Sequence, residues 1–110
     1  MTLLRIDANL ISDEESFHTV FSEAFGFPNF YGRNMNAWID CMGCLDDPSE
    51  EMSSVHVAPG QTLGLVIENS RPLKQRCPAI FDALVECASF VNWRCCERGK
   101  PPLLTLAMYL

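Results

Sequence analysis

With 110 residues, 48% of them hydrophobic, the chain has material for one compact domain and one core rather than two. Its net charge of −6 and the lack of any apolar run near the roughly 20 residues of a membrane span exclude a basic nucleic-acid binder and a membrane protein. With no leader-like stretch at the N-terminus, the expectation is a cytoplasmic protein whose six cysteines are reduced thiols rather than a disulfide framework.

Residues 3–11, LLRIDANLI, read as a first strand followed by a helix start. Ser12 is the expected cap, with Glu15 three residues on completing a capping box and Asp13 and Glu14 placing negative charge at the positive end of the helix. Phe17, Val20, Phe21, Ala24 and Phe25 recur at helical spacing, a stripe that only a helix can bury on one side. Gly26 supplies a left-handed stop, and Pro28 bars continuation.

An aromatic loop leads to Asn34, the expected cap of a second helix. There Met35, Trp38, Ile39 and Met42 face inward, while Asn36 and Asp40 share another face with Gly43. Residues 46–61 are polar and irregular, a long surface connection with room for one helical turn after Pro48. LGLVIE, residues 63–68, is a short apolar run that predicts a buried strand.

A further helical segment is expected after Pro72. Pro78 suits a first helical position, and Ile80, Phe81, Leu84, Val85, Ala88 and Val91 carry the period toward residues 94–98. Gly99, Pro101 and Pro102 end it, and residues 103–110 form a third strand candidate. The order predicts an α/β fold: a small three-stranded parallel sheet flanked by helices, because parallel strands need crossovers long enough to hold them. The strands are placed near residues 3–7, 63–68 and 104–109, with the first central.

Charge is distributed unevenly along the chain. Residues 1–51 hold ten acids against Arg5 and Arg33, a charge of −8, so the remainder carries +2. A field of that sign attracts basic proteins and repels nucleic acid, although it also serves solubility.

The cysteines raise a second possibility. Cys41 and Cys44 form a C-x-x-C pair, and Cys95, Cys96 and His56 could complete a zinc set. Structural zinc pairs sit on turns and redox pairs open a helix after a strand, whereas this pair falls late in a helix, so no metal or cofactor is expected. His18 and His56 are the only candidate bases for a cysteine hydrolase, and neither lies in a catalytic motif, so an enzyme is not expected either.

Residues 17–45 resemble the barstar family, intracellular inhibitors of secreted bacterial ribonucleases, most densely in PNFYGRNMNAWIDCM. The matching features are the Tyr31-Gly32-x-Asn34 turn, Ala37 and the Asp40-Cys41 pair. The resemblance implies a single barstar-like domain over residues 1–110 that plugs the active site of a basic ribonuclease toxin. It implies Asp40 as the phosphate mimic, with Asn36, Ile39 and Gly43 beside it, Phe30 and Tyr31 from the loop, and Glu86 from the last long helix. Three positions depart from the best-known member: Asn36 stands in place of a second helix-face aspartate, Phe30 in place of tyrosine and Ile39 in place of tryptophan. The expected partner is a basic ribonuclease or other toxin, with no nucleic acid or membrane bound and a monomer favoured. The alternatives are an immunity protein for a toxin of different chemistry, and a redox or metal-binding module built on Cys41 and Cys44.

Overall fold

A computed structural model describes residues 2–110. Three strands, β1 (Thr2–Asp7), β2 (Leu63–Glu68) and β3 (Leu104–Met108), form one parallel sheet in the order β1-β2-β3. The α/β prediction and all three strand positions hold. The expectation that the first strand is central does not. β2 occupies the centre because it is apolar on both faces: Leu63, Gly64, Leu65, Val66 and Ile67 are all buried, whereas β1 exposes Leu3, Arg5 and Asp7. The charged Arg5 inside the first apolar run, against the uninterrupted LGLVI of the second, was the available sign of this order.

Register puts Leu4, Leu65 and Leu106 in one row and Ile6, Ile67 and Met108 in the next, and these rows belong to the core. The opposite face is open to solvent at Leu3, Arg5 and Thr105.

The described residues also form four α-helices: α1 (Glu14–Phe25), α2 (Met35–Met42), α3 (Ser70–Arg76) and α4 (Pro78–Glu97). The cap of α1 is one residue later than expected. Asp13 accepts from the Ser16 N–H at 2.7 Å, and Ser16 Oγ accepts from the Asp13 N–H at 3.0 Å, so the capping box is Asp13–Ser16 rather than Ser12–Glu15. Two overlapping boxes fit the local sequence, and the chain enters α1 extended at the fully buried Ile11 and again at Asp13.

Gly26 closes α1 with φ of 66°, and a side chain there would collide with Ser54, so glycine is required twice over. The expected turn after Pro48 is present as a 3-10 helix, Pro48–Glu50. α3 begins before Pro72, at Ser70, and is separated from α4 by Cys77, which lies outside the helical backbone region. Arg76 secures α3 by donating to the carbonyls of Ala8 and Ile11, and the Asn92 amide secures α4 to the backbone of Leu103 and Leu104.

Candidate partner-binding surface

The loop before α2 is fixed by contacts with α1. Tyr31 N–H donates to the Pro28 carbonyl at 2.9 Å and closes a turn. Arg33, at φ of 54°, donates to Thr19 Oγ1 at 2.7 Å and to the Glu15 carbonyl at 2.9 Å. Asn34 Oδ1 then accepts from the Ala37 N–H at 2.8 Å and starts α2 where the sequence places it.

α2 divides into two faces. Trp38, Cys41 and Met42 point into the core, with Met35 and Ile39 half-buried at its margin. The expected inward stripe is therefore centred on Trp38 and Met42. Asn36 and Asp40 lie on the exposed face, the Asp40 side chain 66% accessible, and Gly43 caps the helix. Phe30, 75% exposed, projects from the loop.

Tyr31 turns the other way. It is buried against Phe27, and its hydroxyl shares a hydrogen bond with Nδ1 of the buried His18. The other ring nitrogen of His18, Nε2, is buried without a hydrogen-bond partner among the described residues and lies 3.8 Å from Glu14 Oε1. Burial pushes the His18 imidazole below its ordinary value, a shift that Glu14 opposes and Arg33 reinforces; burial, with the neighbouring Cys41, raises the Tyr31 phenol. Tyr31 thus holds the loop in place from inside, and Phe30 supplies its outward aromatic area.

Beside Asp40 runs a groove of about 260 Å³ between α2 and α4. Ile39, Gly43, Met52 and Val91 contribute its apolar part, and Asp40, Glu50, Arg94 and Arg98 its charge. Arg94 Nη1 lies 4.0 Å from Asp40 Oδ1, at the outer limit of an ion pair. The α4 residue brought to Asp40 is therefore Arg94. Glu86 is exposed two turns earlier, about 12 Å back along the helix axis.

Sequence reasoning did not single out Arg94, or the neighbouring Phe90 and Trp93. These two aromatics are 43% and 55% exposed, stacked with centroids 5.9 Å apart, and Arg94 lies 5.7 Å over the Phe90 ring. Their sign in the sequence was two large aromatics off the buried stripe of Leu84, Ala88 and Val91.

All six cysteines carry free thiols, and among the described residues no three His, Cys, Asp or Glu side chains come together as metal ligands. Burial pushes the Cys41 thiol up to about 11, with the charges of Cys44 and Asp40 adding to the effect, and Cys44 is raised from the same main cause. These are the opposite of the shifts a nucleophilic thiol needs. No helix among the described residues is long and apolar enough to cross a membrane.

The fold and this surface define a small parallel α/β protein that presents a charged helix flanked by exposed aromatics. Residues 1–107 match the family described as Barstar (barnase inhibitor), and the chain belongs to that family. Comparison with curated proteins finds no match.

Proposed function

We propose that the chain is an immunity protein: a monomer that acts in the cytoplasm, catalyses no reaction, and blocks the active site of a basic ribonuclease with the outer face of α2 and the loop before it. The observation that carries this reading is the exposed Asp40 carboxylate, mounted on a helix whose other face is anchored by Trp38 and Met42, in a chain of the barstar family.

A site that cleaves RNA holds phosphate with cations, and a carboxylate offers the same kind of charged acceptor oxygens to the same guanidinium and ammonium donors. A rigid mount matters because a carboxylate already in position loses little freedom on docking. Asn34 sets the start of α2, and Arg33 and Tyr31 fix the approach of the loop, which supports reading Asp40, Asn36, Ile39, Gly43 and Phe30 as one pre-organised patch. On this reading Tyr31 acts from beneath, and Glu86 contributes only through a partner broad enough to reach along α4. The raised thiols of Cys41 and Cys44 favour binding over a redox role.

A second reading, an immunity protein for a toxin of other chemistry, is favoured by one feature: Asn36 is neutral and Arg94 is cationic where a partner lined only with cations would be better served by acids.

The test measures protection against RNA cleavage by barnase and by any basic nuclease that co-purifies with the chain. Protection should disappear in Asp40→Ala and strengthen toward barnase in Asn36→Asp. An Asp40→Ala protein that protects as well as the parent overturns the phosphate-mimic reading.

A further inference from the structure

Asp40 does not stand alone on its surface. Its carboxylate meets the Arg94 guanidinium at 4.0 Å, both side chains being largely accessible at 66% and 42%. Arg98, four residues on and just past the end of α4, lines the same groove. Viewed by an approaching protein, this is an anion and a cation side by side rather than an acidic point.

We propose that the partner's matching surface has the reverse order, a cation that takes Asp40 and, next to it, a carboxylate that takes Arg94 and Arg98. The inference rests on the inhibitor reading above and names the chemistry of its partner.

Three observations carry it. First, the groove couples both charges to an apolar floor of Ile39, Met52 and Val91, so a docked partner would remove Asp40 and Arg94 from water together. Once Asp40 is taken by the partner, Glu50 is, among the described residues, the one acid of the groove left for two desolvated guanidiniums, Arg94 and Arg98, so a cleft lined only with cations satisfies Asp40 at the expense of the arginines. Second, Arg94 is not free to swing clear without loss, because it also lies over the face of Phe90. Third, the stacked Phe90 and Trp93 continue the surface beyond the groove, and exposed aromatics with arginine are the composition of interface centres. The planar fork of a guanidinium selects a carboxylate as its partner, since two parallel hydrogen bonds can form.

The experiment uses barnase, the nuclease named in the family's description, as the probe and measures its dissociation constant with the parent chain, Arg94→Ala, Arg94→Glu, Asp40→Ala and the double variant Asp40→Ala/Arg94→Glu. Removing the cation should tighten binding roughly threefold in Arg94→Ala, and reversing it should tighten binding roughly tenfold or more in Arg94→Glu. Both variants should keep the parent's thermal midpoint within a few degrees, because the Asp40–Arg94 contact is exposed. If Arg94→Ala and Arg94→Glu bind barnase no more tightly than the parent, including the case in which none of them binds, the inference is overturned. Failure of the inhibitor reading has a different signature: Asp40→Ala then binds as well as the parent, and the double variant binds as well as Arg94→Glu.

Discussion

The two sides of α2 make opposite use of one short helix. Toward α1 it meets an aromatic interior: Phe17, Phe21 and Trp38 are buried, with Phe21 edge-on to Trp38 at 5.6 Å and tilted against Phe17 at 4.7 Å. Toward α4 it opens onto a groove whose charges are exposed and whose ion pair is loose. Apolar area removed from water stabilises, whereas an exposed ion pair contributes little; a charge becomes valuable only when a partner desolvates it. The comparison therefore separates stability from recognition within eight residues.

The largest test of that separation is Phe21→Ala. It should lower the unfolding free energy by about 3–5 kcal/mol through lost burial and the cavity left behind, while the remaining folded protein binds its partner unchanged. Urea titration and binding on the same sample check both halves. A loss below about 1 kcal/mol would show that the interior is not the main source of stability.

Asp40→Ala should behave in the opposite way. Stability should change by no more than about 0.5 kcal/mol, and binding should weaken by about 2–5 kcal/mol, chiefly through faster dissociation as the partner's buried cations lose their counter-charge. Stopped-flow association and competition-driven dissociation separate the two rates.

Acid should act on the interior through His18. Its folded-state value lies below the ordinary 6.5, so near neutral pH both folded and unfolded forms are unprotonated and the contribution to stability is complete. As pH falls below about 6.5 the unfolded state gains the proton first, and stability drops by up to about 1.4 kcal/mol per pH unit until the folded-state value is reached. Asp13, held below its ordinary 3.8 by the Ser16 hydrogen bonds, loses its contribution only in stronger acid. Urea midpoints from pH 7.5 down to 5 should therefore fall in the parent and flatten in His18→Gln; equal slopes would count against a buried neutral imidazole.

The smallest effect is expected at Glu50, exposed where it lines the groove. Glu50→Gln should slow association about twofold at low salt, leave dissociation unchanged, and lose even that effect as screening shortens toward about 10 Å at 0.1 M. Faster dissociation would instead place Glu50 inside the interface.

The fold was legible wherever a local pattern sufficed. Gly26 and Asn34 bound their helices as expected, and Phe17, Phe21 and Phe25 are buried as their spacing predicts. The candidate surface was legible in part: Asp40 and Asn36 are exposed, because the residues on the inner side of α2 leave them no other place to point, and Phe30 is exposed on the loop before it. Neighbouring residues fail as guides where a local choice is nearly balanced. The two overlapping capping boxes before α1 differ by one residue, and the one that forms is Asp13–Ser16. Phe30 and Tyr31 are adjacent aromatics of similar size, and the contact with His18 turns one inward.

The sequence by itself determined the three strands, the stop of α1 at Gly26, the start of α2 at Asn34 and the division of α2 into buried and exposed faces, because hydrophobic periodicity and cap chemistry act within a few residues. Only the tertiary structure decided that Tyr31 supports the loop from beneath and that Arg94 rather than Glu86 stands beside Asp40. Those outcomes depend on how α4 lies against α2 and how the loop before α2 lies against α1. No residue's local pattern encodes them; they follow from the one packing that buries Leu84, Ala88 and Val91 together with Trp38 and Met42.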